Sequence, residues 1–306
     1  MAASIYLSGM KRIAPWLVCT LLFLASCKKS DDDSPTPPPT PPAATDNDPL
    51  LPGNPTNAVN NATSSPENYL KDNSFYKISY SKSRGTSNWV AWHLQSEDIG
   101  GVPRQDNFRG DALLPGSWYQ VQTSDYSSSG FNRGHYCPSG DRTSTISGNS
   151  STFLMTNIMP QAPNLNQGPW EGLEDFVRNS LVGSNKEAFI YMGVTGAGGY
   201  EPSGLTTFIA SGKITVPAKV WKVALILPKG NGDLARIHSD ATVVAVNMPN
   251  DNRLYNTTAG GRNDWRNYIV SVNALESDAA TAGMSLSFFT AVHDSIKTIL
   301  KGKIYQ

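Results

Sequence analysis

Four apolar segments constrain the fold of this chain more than any other feature. They lie at 88–94, 187–194, 219–227 and 241–248. Their length and apolar character are typical of strands buried at the centre of a sheet. Shorter strands are predicted at 76–82, 152–156 and 269–272, and helices at 166–182 and 286–300. Because strands and helices do not alternate regularly, the pattern predicts an α+β fold, an antiparallel central sheet flanked by helices.

The N-terminal residues 1–26 have the pattern of an export signal. Lys11 and Arg12 supply a positive region, and the apolar run at 16–24 is too short to cross a bilayer as a mature helix. The run ends in Leu-Ala-Ser-Cys, which resembles a bacterial lipoprotein signal whose cleavage leaves Cys27 as the lipid-modified first residue. We therefore expect an exported, membrane-anchored lipoprotein, at the outer membrane on its periplasmic side or at the cell surface. The alternative is an ordinary signal peptide with an incidental cysteine.

The next segment, 27–67, is rich in Pro, Asn, Thr, Ser and Asp and has few large apolar residues. Such a composition predicts a disordered, semi-extended linker, because it cannot bury enough apolar surface to fold. The folded domain is then predicted to span 68–306. It has a single remaining cysteine, Cys137, so no intrachain disulfide is expected and a hydrophobic core must stabilise it.

The charge balance limits the kind of nucleic-acid contact that the chain can make. The sequence has 25 basic and 25 acidic residues, and removing Lys11 and Arg12 with the signal leaves 23 against 25, a net charge of −2. Nucleic-acid binders usually carry a basic excess. The balance therefore argues against an extended binding groove, but not against an enzyme that holds one phosphate.

Two short motifs carry the residues with chemical potential. The first, at 132–142, reads NRGHYCPSGDR, and the second, at 156–175, contains an Asn and a Glu about thirty or more residues after His135. A neutral histidine with a pKa near 6.5 suits the activation of a water molecule. Mg²⁺ needs only one or two oxygen ligands from the protein, and an Asn carbonyl oxygen is suitable. Zinc is disfavoured because no Cys and His cluster has zinc-site spacing.

The two motifs resemble those of a known family. NRGH with a following Pro is similar to the D-R-G-H signature of the DNA/RNA non-specific endonucleases, the ββα-metal nucleases that include mitochondrial endonuclease G and secreted bacterial nucleases. The second motif, N-x-x-P-Q-x-x-x-L-N-Q-x-x-W-x-x-L-E, resembles the same family in composition and spacing. The likeness covers roughly residues 68–300. It implies a metal-dependent phosphodiester hydrolase that leaves 5′-phosphate and 3′-hydroxyl ends on DNA and RNA.

The resemblance assigns catalytic roles to three positions. His135 corresponds to the general base, Asn166 to the direct metal ligand, and Glu174 to the acid that holds the water molecules around the metal. It also implies that the histidine ends a hairpin strand and that the asparagine lies on the following helix, with one Mg²⁺ between them. Mn²⁺ is the alternative ion.

Further positions correspond to residues that shape the site or bind phosphate. Arg133 and Asn157 correspond to residues that orient the substrate or the base, and Arg178 to a phosphate-binding arginine. Arg104 corresponds to a second phosphate-binding arginine, although Arg109 competes for that role. Glu174 and Arg178 are also four residues apart, so a simple helix ion pair is the alternative interpretation.

One residue departs from the family pattern. Asn132 stands where the family usually has Asp, so a negative charge beside the histidine and the metal is absent. A slower enzyme or a preference for Mn²⁺ would follow from this loss. Two hypotheses therefore remain: an exported nuclease without sequence preference, and a catalytically weakened surface lipoprotein that binds nucleic acid or another polyanion. His93, within the predicted strand 88–94, is interpreted as a structural histidine.

Overall fold

The computed structural model describes residues 46–306. The predicted signal at 1–26, the lipidation site Cys27 and the first part of the predicted linker lie outside the described residues. Within 46–306, no helix combines the length and the apolar character that crossing a bilayer would require.

The described residues form twelve strands. They are β1 Tyr69–Asp72, β2 Lys77–Ser81, β3 Thr86–Leu94, β4 Asn132–His135, β5 Ile158–Gln161, β6 Lys186–Thr195, β7 Gly199–Glu201, β8 Gly204–Thr206, β9 Phe208–Ile209, β10 Ile214–Thr215, β11 Lys219–Pro228 and β12 Thr242–Pro249. Six of them build one antiparallel sheet in the order β1-β2-β3-β6-β11-β12. The pairs β4–β5, β7–β8 and β9–β10 form separate two-stranded sheets. The predicted α+β class with a large antiparallel sheet is confirmed.

Six α-helices accompany these strands. They are α1 Ile146–Ser151, α2 Pro163–Leu165, α3 Glu171–Asp175, α4 Asp233–Arg236, α5 Val272–Thr281 and α6 Asp294–Gly302. Two wider helical segments, Asn166–Trp170 and Phe176–Val182, join α2 and α3 into a helical run over 163–182, which we call the site helix. The run is interrupted at Gly168, whose backbone leaves the helical region, and Pro169 follows within the same turn.

The sheet separates two hydrophobic cores. Successive side chains of a strand point to opposite faces, so β11 sends Val220 and Ala224 to one face and Trp221 and Val223 to the other. The first face packs against the site helix, and we call it the site face. The second face packs against α5 and α6, and we call it the far face. Both faces of the central strands are buried, which explains their apolar character.

Three sequence-based element predictions are wrong. The predicted strand at 152–156 is a connection, because the chain turns through the short helix Met155–Asn157 before β5 begins at Ile158. The predicted helix at 286–300 begins only at Asp294, and α5 was not predicted. The predicted strand at 269–272 reduces to one bridge between Ile269 and Val246.

The linker prediction also extends too far. The segment 46–67 lies against the far face, where Ala58 is buried and Leu50 and Leu51 pack against the core. Side chains of the sheet bind its backbone and side chains: Trp89 Nε1 donates to Thr56 Oγ1 (2.8 Å) and the Tyr191 hydroxyl donates to the Gly53 carbonyl (3.0 Å). Composition concealed this segment because its few apolar residues pack on the sheet rather than on each other.

Candidate active site

A hairpin and the helix that follows it build the site. Strands β4 and β5 pair antiparallel, with Asn132 opposite Gln161 and His135 opposite Ile158. The chain then enters the site helix within two residues of β5. Gly134 is required in this hairpin because a Cβ there would collide with the Gln161 side chain. The hairpin therefore carries the histidine and the helix carries Asn166, as the resemblance implied.

Six predicted residues line one cavity of about 290 Å³. They are Arg104, Arg133, His135, Asn166, Glu174 and Arg178. Asn132 lines an adjoining cavity of about 420 Å³, which shares Arg104, Arg133 and Asn166 with the first. The structure thus brings together side chains that are up to about seventy residues apart in sequence. Their convergence gives one site with both cationic and anionic groups.

His135 is the buried imidazole of this cavity. Its Nε2 atom has no hydrogen-bond partner among the residues that the structure describes. The ring packs between Phe108 and Phe153, with centroid distances of 5.5 and 5.0 Å. Burial, and then the positive charges of Arg104 and Arg133, lower the pKa of His135 to about 3. The imidazole is therefore neutral at physiological pH and can accept a proton.

Asn166 and Asn132 are joined by their side-chain amides. Asn166 Nδ2 donates to Asn132 Oδ1 (3.0 Å), and Gln167 Nε2 donates to the same oxygen (2.8 Å). Because Asn166 uses its amide nitrogen in this contact, its Oδ1 oxygen can serve as a metal ligand. An amide oxygen with the nearby Glu174 carboxylate is the donor set that a hard divalent cation prefers. The residues present therefore fit the metal that the family resemblance implies.

Glu174 is held by a buried lysine that the sequence analysis did not identify. Lys222 Nζ lies 3.6 Å from Glu174 Oε1 and packs over the ring of Trp170, 4.8 Å from its centroid. Burial raises the pKa of Glu174 and lowers the pKa of Lys222, and each group partly offsets the shift of the other. A signal for Lys222 was present, because alternation along β11 places it on the same face as Val220 and Ala224.

Arg178 is fixed by two carboxylates. Its Nε donates to Asp141 Oδ1 (2.6 Å) and its Nη1 donates to Asp175 Oδ1 (2.8 Å). Trp92 Nε1 donates to the second oxygen of Asp141 (2.9 Å). Burial lowers the pKa of Arg178, but the Asp141 and Glu174 carboxylates outweigh it and raise that pKa. Arg178 thus bonds to Asp141 and Asp175, while Glu174 pairs with Lys222. A direct ion pair between Glu174 and Arg178 is therefore not what holds these two residues.

The two upstream arginines rest on the rings that enclose His135. The Arg104 guanidinium lies over Phe153 (4.8 Å) and donates to Ser139 Oγ (2.8 Å). The Arg133 guanidinium lies over Phe108 (4.2 Å). Arg109 instead donates to the carbonyls of Asn107 and Ser150 and does not line either cavity. The geometry therefore favours Arg104 over Arg109 as the second phosphate-binding arginine.

Asn157 does not line the cavity. It is fully buried, and its Oδ1 accepts from the Cys137 amide (2.9 Å) while its Nδ2 donates to the carbonyls of Cys137 (2.8 Å) and Thr152 (2.9 Å). All three hydrogen bonds of its amide group are made with backbone, so its side chain does not reach the cavity. Asn157 instead positions the turn that follows His135. Cys137 beside it is a buried free thiol whose pKa is raised by burial.

A hairpin and a helix present a buried imidazole and an asparagine amide to one polar cavity, which is the arrangement that the resemblance to the ββα-metal nucleases implied. The sequence model of the DNA/RNA non-specific endonuclease family matches residues 53–295, and the chain belongs to this family. A nuclease from Nostoc sp. is 43% identical over 255 residues, which are 83% of this chain and 85% of that protein.

More distant relatives agree with this assignment. Human mitochondrial endonuclease G is 29% identical over 188 residues, covering 60% of this chain and 61% of that protein. A chain in a crystal structure of the EndoG/EndoGI complex has the same fold, with a TM-score of 0.61, 22% identity and coverage of 80% of this chain and 91% of that one. The chain is therefore a nuclease of this family, and metal dependence is a family property.

The buried imidazole predicts a pH dependence of stability. The pKa of His135 falls from 6.5 in the unfolded chain to about 3 in the folded protein, so the unfolded chain binds the proton more readily. The contribution of His135 to the free energy of unfolding is fully present above pH 6.5. It is lost as the pH falls towards 3, by roughly 1 kcal/mol per pH unit. Urea unfolding in EDTA at pH 7.5, 6 and 5 should show a weaker decline for His135→Gln than for the wild type. Parallel declines of the two proteins would contradict the lowered pKa of His135. His238→Gln, at an exposed histidine, is the control and should decline like the wild type.

Proposed function

We propose that this nuclease is an endonuclease that depends on Mg²⁺, with Mn²⁺ as the alternative ion, and hydrolyses DNA and RNA without sequence preference. The observation that carries the proposal is the neutral imidazole of His135 in the same cavity as the Asn166 amide and the Glu174 carboxylate. Direct contacts to phosphate position a substrate without reading its bases. The cavity offers cationic groups for phosphate, which supports action on either nucleic acid.

The proposed reaction is a hydrolysis in which His135 is the general base. A neutral ring nitrogen of His135 takes a proton from water while the water oxygen attacks phosphorus. The bond from phosphorus to the 3′ oxygen breaks, and the leaving oxygen takes up a proton from solvent water, which gives 5′-phosphate and 3′-hydroxyl ends. Asn166 and Glu174 would hold the cation, which when bound supplies Lewis acidity at the phosphate and the leaving oxygen.

The arginines couple substrate binding to the strength of the base. Arg104 and Arg133 lower the pKa of His135 in the free protein. A phosphate held between these guanidinium groups would neutralise part of their repulsion for an imidazolium ion. His135 would therefore become a stronger base when the substrate is present. Arg178 is not among the groups that lower the pKa of His135, and it is held by Asp141 and Asp175.

We also propose that the chain is an exported lipoprotein anchored at Cys27. The support is the sequence alone: a positive region, an apolar run and Leu-Ala-Ser-Cys at 24–27. Lipidation at this residue would place the nuclease at the outer membrane, facing the periplasm or the cell surface. Its substrates would then be nucleic acids outside the cytoplasm.

Removing the imidazole of His135 should strongly slow the cleavage of nucleic acids. We expect His135→Ala to reduce the rate on plasmid DNA and on RNA by about 10² to 10⁴, since general-base catalysis contributes that much. Gel digestion assays with Mg²⁺ and with EDTA measure the rate, and exposed His238→Ala is the control. Binding of both nucleic acids by the wild type without any cutting would instead support the polyanion-binding alternative.

Restoring the usual acid at position 132 should strengthen cation binding. Asp at this position keeps the acceptor oxygen for Asn166 and Gln167 and adds a negative charge beside the metal ligand. We expect Asn132→Asp to lower the Mg²⁺ concentration for half-maximal rate several-fold. Asn179→Asp adds the same charge at an exposed position of the site helix and should leave it unchanged. Identical Mg²⁺ titrations for Asn132→Asp and the wild type would refute the prediction.

The anchor can be tested by cell fractionation. Cys27→Ser removes the thiol that would carry the lipid, so the protein should move from the membrane fraction to the soluble exported fraction. Cys19→Ser, within the signal, is the matched control and should leave the distribution unchanged. An unchanged membrane association of Cys27→Ser would show that the cysteine is incidental.

A further inference from the structure

A second polar cluster lies on the far face of the sheet, opposite the active site. It consists of His93 on β3, Glu187 on β6 and Asp233 on α4, and all three are almost fully buried. One ligand atom from each lies within 4.8 Å of the others, and His93 Nε2 is 3.5 Å from Glu187 Oε2. The neighbouring Phe189 packs against His93 on the same face. The cluster is thus separated from the nuclease cavity by the sheet.

Two atoms of this cluster have no partner. His93 Nε2 and Asp233 Oδ2 make no hydrogen bond to any residue between 46 and 306. Arg236 bridges the other side of the cluster through Glu187 Oε1 and Asp233 Oδ1. The second carboxylate oxygens and the imidazole nitrogen therefore remain on the side away from the guanidinium. Buried polar atoms without partners are rare and destabilising unless a water or an ion satisfies them.

The acidic side chains of the cluster outnumber its cationic ones. Two carboxyl groups face one guanidinium, and the half-buried Asp46 carboxylate accepts hydrogen bonds from the Gly232 and Asp233 amides at its edge. A buried uncompensated negative charge is costly. A divalent cation would supply the charge and also satisfy both unpartnered atoms.

We propose that His93 Nε2, Glu187 Oε2 and Asp233 Oδ2 form a structural site for one divalent transition metal, of which Zn²⁺ fits best. One imidazole nitrogen and two carboxylate oxygens are ligands that zinc takes in proteins, and imidazole disfavours Mg²⁺ and Ca²⁺. The expectation against zinc rested on spacing along the sequence. These three ligands come from separate elements, so their spacing carries no such signal.

A metal ion bound at this far-face site would link the connection after β11 to the central strands of the sheet. Asp233 belongs to α4, which lies between β11 and β12, whereas His93 and Glu187 belong to neighbouring central strands. A bound ion would therefore stabilise the folded protein without taking part in phosphodiester hydrolysis. Stability and catalysis should then respond to different metals.

Zinc binding can be measured on purified protein stripped with EDTA. After dialysis against Zn²⁺ and then zinc-free buffer, we expect about one retained equivalent, measured by elemental analysis. A free Zn²⁺ concentration 100-fold above Kd should raise Tm by roughly 5–10 °C. Both measurements are made on the wild type and on His135→Ala, because His135 is the imidazole that could bind zinc in the nuclease cavity.

The variants distinguish this site from others. Asp233→Asn and His93→Gln should lose the retained equivalent and the Tm rise, whereas His238→Gln, an exposed neighbour, should keep both. The Mg²⁺-dependent digestion rate of Asp233→Asn should stay within about two-fold of wild type. If neither variant folds, the wild type decides: no Tm rise with Zn²⁺ and no visible absorption bands with Co²⁺ would overturn the proposal. Equal zinc retention in Asp233→Asn and wild type would also overturn it.

Discussion

The pairing of β4 with β5 is the constraint on which the active site depends. It fixes His135 opposite Ile158 and lets the chain enter the site helix almost at once, so His135 and Asn166 approach the cavity from two adjoining elements. A buried imidazole without a hydrogen-bond partner costs stability, and the surrounding structure must hold it there. The rings of Phe108 and Phe153 enclose it, and the Asn157 amide fixes the turn that follows it. The position of His135 is therefore set by backbone pairing and aromatic packing.

The charged side chains that line the cavity are also held in place, by buried groups that do not line it. Lys222 supports Glu174 from within the sheet, and Asp141, itself bound by Trp92, fixes Arg178. These partners lie in the site-face core, where low polarity strengthens each interaction and makes an unpaired charge costly. Such support keeps the catalytic groups in one geometry before substrate arrives, which lowers the reorganisation needed during the reaction.

The sequence predicted the parts of this structure that depend on local pattern. The apolar segments predicted the central strands, and the two motifs contain His135, Asn166 and Glu174, which line the cavity. It did not predict that Asn157 binds the backbone of Cys137, because the motif shows that an amide is present but not which groups it binds. The segment 46–67 was misjudged because its apolar residues, such as Leu50 and Leu51, are buried only by contact with the distant sheet. The helix α5 was missed because only three of its ten residues, Val272, Leu275 and Ala279, are buried, which leaves a weak apolar pattern in the sequence.

One strand relates the two polar clusters of the molecule. In β3, Trp92 points to the site face and binds Asp141, while the next residue, His93, points to the far face and meets Glu187. The site face is open at the cavity. A substrate phosphate can therefore reach its arginines, and an exchangeable cation can reach its carboxylates. The far-face cluster is buried, so its carboxyl groups are not matched by ions that exchange freely with solvent. A permanently bound ion is the counter-charge that we propose for them. The same sheet can thus separate an exchangeable cation used for chemistry from a fixed one used for stability.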